Sequence, residues 1–361
     1  MVNLQLKEIS MRYEKKYILD NLDLDVQHGE LLVLLGESGC GKTTLLKIIA
    51  GIIEPENGKL FMEKKEISKL SPQKRKVGYV PQAQVLFPHM TVRKNIAFGL
   101  EAHKLSKSEI EQKIKWAAEL THIEELLGRY PSEISGGQKQ RVALSRAIAI
   151  DPHLLLLDEP LSSIDTSGRE ELALTIRRIQ KETETTTIYV THNQEEARLI
   201  SDRVAIMYDG KIQQIGRVVE IDHSPANYLI AKIMGTPNIW SVQYQDKKQN
   251  KTIVTTELGK IELPYLVKQR FTGVRLPPSC FEIAFDKNEL QEDIKKTKMV
   301  FKGIIKSIIE RDIRTNRMIV EVKRDSIEYI KVDIDRQKLK KNLETNQQVI
   351  IYIDTSEVQI L

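Results

Sequence analysis

Cysteine is scarce in this chain: Cys40 and Cys280 are the only two in 361 residues. Two thiols cannot build a disulfide framework, and a reducing compartment fits the count. No apolar run approaches the ~20 residues that cross a bilayer. The opening Met1-Val2-Asn3-Leu4-Gln5-Leu6-Lys7 lacks the apolar centre of a signal peptide, so the expectation is a chain that stays in the cytoplasm. Aromatic residues make up only 6%, and the C-terminal third has no cluster of them on which bases could stack. The excess of positive charge is small, +5. It suits an anionic ligand or membrane face and does not argue for nucleic acid. Low-complexity tracts and strong internal repeats are also missing. What remains, 29% charged and 41% hydrophobic residues, is ordinary for a globular protein long enough for two domains.

The most informative stretch is Gly36-Glu37-Ser38-Gly39-Cys40-Gly41-Lys42-Thr43. The apolar run Leu31–Leu35 precedes it, and Thr44-Leu45-Leu46-Lys47-Ile48-Ile49-Ala50 follows. That order reads as strand, glycine loop, helix, the context that makes G-x-x-x-x-G-K-[ST] a phosphate-binding loop. Glycines let successive N–H groups turn toward a phosphate, and the helix adds its positive end. Lys42 can reach the β- and γ-phosphates, and the Thr43 hydroxyl can hold Mg²⁺. Cys40 reads as small filler within the loop.

Two further constellations carry chemistry. Leu154-Leu155-Leu156-Leu157-Asp158-Glu159-Pro160 is a buried strand ending in adjacent acids. Ligands gather at the carboxyl ends of parallel strands, so Asp158 can serve Mg²⁺ and Glu159 can polarise the attacking water. Ser135-Gly136-Gly137-Gln138 opens a helix, where a hydroxyl and free N–H groups make an anion site.

Ser135-Gly136-Gly137-Gln138 ahead of Leu157-Asp158-Glu159-Pro160 resembles the signature and Walker B sequences of the ATP-binding cassette (ABC) transporter ATPases. The resemblance is close over the first 235 or so residues and looser beyond. It implies roles for other positions. Gln82 is similar to the glutamine that contacts Mg²⁺ and couples to the permease. Ser162-Ser163-Ile164-Asp165 stands where the family has its D-loop, although many members carry Ala and Leu in the middle. His192, after Thr191, resembles the switch histidine that senses the γ-phosphate, and Tyr13 resembles the aromatic that stacks on adenine. The expected ATP contacts are Tyr13, residues 36–44 (Thr44 included), Ser135, Gly136, Gly137, Gln138 and Asp165. Glu159, His192, Lys42 and Gln82 are the expected catalytic set, and Thr43, Gln82 and Asp158 the Mg²⁺ set. In the family two cassettes sandwich two ATP molecules head to tail, so a homodimer is implied.

The implied fold is α/β: a P-loop NTPase cassette with a RecA-like core, an antiparallel β subdomain and a helical subdomain near 83–150. Alternating strands and helices support a mostly parallel sheet over 1–236. Helical spacing over 108–127, 135–150, 170–182 and 195–200 and a hairpin about Asp209-Gly210 fit that scheme. Asn57-Gly58 reads as a turn. Residues 237–361 read as short strands, an all-β, OB-like domain. This layout resembles importer ATPases with a C-terminal transport-associated domain, which act at the cytoplasmic face of the cell membrane. Those work with a separate integral membrane permease and, through it, a solute-binding protein. Val77-Gly78-Tyr79-Val80-Pro81-Gln82 with Val85-Leu86-Phe87-Pro88-His89-Met90 is most similar to the ferric-iron subgroup. Polyamine comes next, then sugar, sulfate or molybdate. Phe87 and Met90 are candidates for the wall of a permease groove, or for core. Gly273-Val274-Arg275-Leu276-Pro277-Pro278 departs from the tail pattern, and Lys295-Lys296-Thr297-Lys298 reads as a solvated turn. A ribosome-associated ATPase is the reading of another class. Such proteins usually carry two glycine loops, and this chain has one.

Overall fold

The computed structural model describes residues 4–83, 85–102, 105–248, 251–263, 265–285, 299–312, 317–324, 327–335, 343–354 and 357–361. The basic run Lys295-Lys296-Thr297-Lys298 lies outside them. Two compact units are present, Met1–His223 and Ser224–Leu361.

The first unit begins with β1 (Leu4–Tyr13) and β2 (Lys16–Val26), then β3 (Leu31–Leu35) and α1 (Lys42–Ala50). Next come β4 (Asn57–Met62), β5 (Lys65–Glu66) and β6 (Val77–Val80). Three helices follow, α2 (Val92–Ala102), α3 (Lys107–Thr121) and α4 (Gly136–Ala149). The chain then alternates through β7 (Leu154–Asp158), α5 (Thr166–Thr183), β8 (Thr186–Thr191), α6 (Gln194–Ile200) and β9 (Arg203–Tyr208). It closes with β10 (Lys211–Gly216) and α7 (Val218–His223).

Six strands form one sheet in the order β10-β9-β3-β8-β7-β6, parallel except for the β9–β10 hairpin. β3, β7 and β8 are buried along their whole length, which is why they read as unbroken apolar runs rather than alternating ones. β2-β1-β4-β5 make a separate antiparallel sheet with the alternating pattern of a half-covered surface. One core joins Leu6 and Leu24 of that sheet, Leu45 and Ile49 of α1, and Leu34, Leu156 and Val190 of the six-stranded sheet. Burying a side chain such as Leu45 contributes about 1.5–3 kcal/mol, so α1 is held on both sides by apolar packing.

Arg75 fixes the far end of α1. Its guanidinium donates to the carbonyls of Ile48 and Ile49 at 2.7 and 2.9 Å, and to those of Leu70 and Ser68 at 2.8 Å each. Burial lowers its pKa, yet a cation at a helix C-terminus meets the negative end of the dipole.

Several elements differ from the sequence reading. α2 was not expected. Asn95 on it is fully buried and receives the Phe87 N–H at 2.8 Å, while its amide donates to the Phe87, Met90 and Thr91 carbonyls. Asparagine is a weak helix former, and here it is spent on the preceding loop. The helix over 108–127 stops at Thr121, because His122 turns left-handed (φ 54°). Asn57-Gly58 opens β4 instead of making a turn, beside a register shift against β1.

In the second unit α8 (Tyr228–Ile233) precedes β11 (Ile239–Ser241), β12 (Tyr244–Lys248), β13 (Lys251–Thr256), β14 (Gly259–Leu263) and β15 (Gly273–Arg275). They are followed by β16 (Phe281–Ala284), β17 (Met299–Asp312), β18 (Arg317–Arg324), β19 (Ile327–Asp335), β20 (Gln348–Ile353) and β21 (Gln359–Ile360). Sheets β11-β15-β21, β12-β13-β14 and β16-β20-β17-β18-β19 are all antiparallel. Their inward residues, among them Trp240, Val254, Phe281, Val320 and Ile351, share one core.

Asp202 secures the start of β3 by accepting the Leu31 N–H at 2.9 Å and an Arg177 N–H at 2.9 Å. Burial alone would raise its pKa. The Arg177 hydrogen bond, the Leu31 N–H and the charges of Arg177 and Lys181 outweigh it and hold the group at about 2. A depressed carboxyl pKa adds stability that is present above its unfolded value, roughly pH 4, and is lost as pH falls through the folded one. Asp202→Asn is therefore expected to lower the melting temperature by a few degrees near neutral pH. The gap should close as pH falls from about 4 toward about 2, measured by thermal melts across that range. A gap independent of pH would contradict the assignment.

Candidate functional site

Four strand ends deliver the site. The loop after β3 carries residues 36–41, and β6 leads to Gln82. β7 ends in Asp158-Glu159 and β8 in Thr191-His192. All four belong to parallel strands of one sheet, so their carboxyl ends share an edge.

Backbone geometry builds the glycine loop. Gly41 is the N-cap of α1 at φ 109°, a conformation that L side chains rarely adopt. Gly36 is required for closeness: a Cβ there would lie 2.3 Å from the Met207 carbonyl oxygen. Lys42 is buried, and its ammonium donates to the Gly36 and Glu37 carbonyls at 2.8 Å each. Those bonds arch the loop over the helix N-terminus and hold the cation beneath it. Cys40 is buried 3.7 Å from the Lys42 ammonium. Burial pushes its thiol pKa up against the pull of Lys42, so the side chain is inert packing.

The Thr43 hydroxyl donates to Asp158 Oδ1 at 3.0 Å, and the Tyr79 hydroxyl to Oδ2 at 3.4 Å. Burial raises the Asp158 pKa, opposed chiefly by the Thr43 bond. Tyr79 is likewise pushed up by burial and by the Asp158 charge, so it stays a donor. The oxygens of Thr43, Asp158 and Gln82 fit a hard ion such as Mg²⁺, which uses one or two carboxylates and completes its shell with water and phosphate. The described residues contain no cluster of three acidic, His or Cys ligands that would make an all-protein cage.

Glu159 sits at φ 45°, a strained angle for a non-glycine residue that costs about 1–3 kcal/mol. The Glu159 N–H donates to the Val190 carbonyl at 3.0 Å, and the Ser162 hydroxyl donates to the Glu159 carbonyl at 2.9 Å. So held, the carboxylate faces two partners. Gln82 Nε2 donates to Oε2 at 3.1 Å, and His192 Nδ1 stands 3.3 Å from Oε1.

A cleft of about 410 Å³ lies over these groups, lined by Tyr13, Ser38, Lys42, Thr43, Gln82 and Glu159 among others. Thr44 and the apolar Ile18 also border it. Tyr13 is exposed at the end of β1.

Ser135, Gly136, Gly137, Gln138 and Asp165 do not line this cleft. Ser135 caps α4: its hydroxyl accepts the Gln138 N–H at 3.3 Å, and Gln138 Oε1 accepts the Ser135 N–H at 2.9 Å. Asp165 caps α5 through the Gly168 N–H at 2.9 Å. Gly137 is open, and a Cβ there would meet nothing within 4 Å. A glycine inside a helix costs about 0.5–1 kcal/mol relative to alanine, and nothing within the chain requires this one.

Phe87 packs on Phe98 with ring centroids 4.5 Å apart, under the Arg146 guanidinium at 5.7 Å. Phe98 and Val85 are exposed. Phe87 and Met90 are half-buried, a surface-facing arrangement rather than deep core.

Sequence reasoning missed Tyr79 and Ile18. The signal for Tyr79 was available: it lies three residues before Gln82 on the strand next to β7, so its hydroxyl comes level with the acid at that strand's end.

A family model described as ABC transporter matches residues 19–162. An Fe(3+) ions import ATP-binding protein of Fusobacterium nucleatum is 46% identical over 238 residues, 66% of this chain and 64% of that protein. The chain thus spans a little under two thirds of that relative's length. A spermidine/putrescine import ATP-binding protein of Clostridioides difficile is 45% identical over 68% of this chain and 72% of its own length. Another of that description, from Oleidesulfovibrio alaskensis, is 43% identical over 75% and 73%. Among solved structures, the dimeric post-hydrolysis ATP-binding cassette MJ0796 bound to ADP and Pi is similar at TM-score 0.55 and 27% identity, over 59% of this chain and 98% of that one. So is cbiO1 from Clostridium perfringens, part of the cbiONQ transporter complex, at 0.56 and 28%, over 62% and 95%.

Lys42→Ala removes the cation under the loop. It is expected to weaken ATP binding about 10- to 100-fold, the worth of a charge-assisted hydrogen bond, in titrations with a fluorescent ATP analogue. Unaltered affinity in a folded variant would contradict the phosphate-loop assignment.

Proposed function

The chain belongs to the ABC transporter ATP-binding proteins, and from that premise we propose that it is the ATP-hydrolysing subunit of an importer, two copies closing on two ATP molecules. The observation that carries this reading is the split of the site. The phosphate loop, Gln82 and Glu159 line one cleft, with Asp158 bonded to Thr43 and His192 beside Glu159 at its edge, while Ser135, Gly136 and Gly137 do not line it and stand on an open helix start. A glycine with no steric reason in its own chain fits an approach from outside, by a phosphate gripped in a second copy's loop.

In this reading residues 36–44 cradle the phosphates, Lys42 neutralises the β- and γ-oxygens, and Tyr13 stacks on the adenine. When bound, Mg²⁺ would be held by Thr43, Asp158 and Gln82 and would supply charge stabilisation at the β/γ oxygens. Glu159 orients and deprotonates the attacking water. Its oxygen attacks the γ-phosphorus while the bond to the β-phosphate oxygen breaks, yielding ADP and inorganic phosphate. His192, beside Glu159, faces the γ-phosphate. Gln82 bonds to Glu159 from the loop leading toward Phe87, and so links the hydrolytic group to a docking surface for a membrane permease. Asp165 and Gln138 steady the segments that meet the second copy.

Residues 1–236 serve as the nucleotide-binding domain, with a helical subdomain near 83–150, and 237–361 as a transport-associated OB-like domain. No helix among the described residues is long and apolar enough to cross a membrane. The work site is the cytoplasmic face of the membrane, on a separate permease served by a solute-binding protein. Ferric iron is the proposed cargo, by kinship with the Fusobacterium relative. Polyamine is the second reading, favoured by the two spermidine/putrescine relatives of nearly equal identity.

Glu159→Gln should retain ATP affinity, lower turnover by about 10²-fold or more and accumulate an ATP-bound dimer in size-exclusion chromatography. Unchanged turnover would remove Glu159 as the base. Cargo is tested with the co-purifying permease in liposomes. ATPase stimulation by an iron-loaded binding protein supports the first reading, and stimulation by a spermidine-loaded one the second.

A further inference from the structure

His192 meets Glu159 through Nδ1 at 3.3 Å, and more than half of its side chain is open to solvent. An exposed ring is placed mainly by the backbone that carries it. That backbone is pinned by the Thr191 hydroxyl, which is itself held by one buried carboxylate, Glu196.

Tyr189 and Thr191 are two apart on β8, so their side chains share a face. Both hydroxyls donate to Oε2 of Glu196, at 2.9 and 2.8 Å. Thr191 Oγ1 in turn accepts the N–H of Asn193 at 2.9 Å, spanning His192. Asn193 Oδ1 accepts the N–H groups of Glu195 and Glu196 at 2.8 and 3.3 Å. The bonds close a ring, Glu196 to Thr191 to Asn193 and back to Glu196, with His192 on its rim. Tyr189, Thr191 and Glu196 are all buried. Burial and the Glu196 charge push the Tyr189 hydroxyl well above its usual range, so it remains a donor. A buried carboxylate is costly unless hydrogen-bonded. A helix cap alone would need only Asn193, so the converging hydroxyls point to a second task.

We infer that Glu196 is a positioning residue for ATP hydrolysis, fixing through Thr191 the turn that presents His192 to Glu159 without touching the nucleotide. The inference rests on the assignment of His192 and Glu159 made above.

The test uses the purified full-length chain. It compares steady-state ATPase, affinity for a fluorescent ATP analogue and thermal melting in Glu196→Ala, Glu196→Gln, Thr191→Val, His192→Ala and the Glu196→Ala/His192→Ala double variant. Misplacing a reacting group by about 1 Å can cost about 10²-fold. Glu196→Ala and Thr191→Val should therefore lower kcat about 10-fold or more, with analogue affinity held within about 2-fold. Glutamine keeps one oxygen able to accept both hydroxyls, so Glu196→Gln should recover most of kcat. In the His192→Ala background, Glu196→Ala should add almost nothing, because residues acting as one unit are non-additive.

Three results would overturn the inference alone while His192→Ala is impaired: Glu196→Ala turning over like the wild type, an equal Glu196→Ala loss in both backgrounds, or Glu196→Gln as impaired as Glu196→Ala. Wild-type turnover in His192→Ala would overturn the assignment of His192, and this inference with it. Should Glu196→Ala fail to fold, Thr191→Val keeps the β-branched shape and decides the same question, unchanged kcat counting against it.

Discussion

The Thr43–Asp158 hydrogen bond ties together the two halves of this site. Thr43 lies in the first turn of α1, and Asp158 ends β7, 115 residues later. Their registry holds only if α1 is locked against the sheet. The core joining α1 to two sheets does this along the helix, and Arg75 does it at the C-terminus. A slip of one residue along β7 would turn the Asp158 side chain to the other face of the sheet. The unbroken burial of β3, β7 and β8 therefore specifies the chemistry as much as the fold.

Strain and support are paired at the next residue. Glu159 occupies a left-handed backbone angle that its side chain disfavours, and bonds to Val190 and from Ser162 hold it there. The result is a carboxylate that leaves the strand direction and turns between Gln82 and His192. An unstrained continuation of β7 would give the residue an extended backbone, with its side chain on one face of the sheet. The cost is small against the core that surrounds it, and it is local to the residue whose orientation matters most.

The parts of the fold that were legible in the sequence are those where one physical demand dominates. The loop at 36–43 combines three glycines with a lysine, and the acids after Leu157 end an apolar run. The acids alone would read as a charged strand end, and only their pairing with the glycine loop makes them specific. The parallel core strands were legible because both faces are covered. α2 was not, since its key residue, Asn95, serves the preceding loop and lowers local helix propensity. Asn57-Gly58 carried a turn signal that the fold uses for a register shift in β4. Tyr79 left a signal, its place three residues before Gln82 on the strand beside β7, whereas Glu196 left none, because a turn brings it back to Tyr189 and Thr191 without a motif spacing.

The ends of α4 and α5 present the reverse case. Ser135, Gln138 and Asp165 satisfy their polar groups locally, as caps of their own helices. By that account nothing remains for them to do, and glycine at 137 is a cost without a return inside the chain. Local stability alone would favour alanine there, since the space is open and the helix would gain. A sequence that keeps the less stable choice at an exposed helix start reserves that surface for close approach of something with no tolerance for a methyl group. Backbone N–H groups at such a start are oriented for an anion, and the proposed reading puts the phosphates, within one copy, at the glycine-loop cleft instead. In the proposed dimer, the two surfaces become one site when a second copy supplies the missing half.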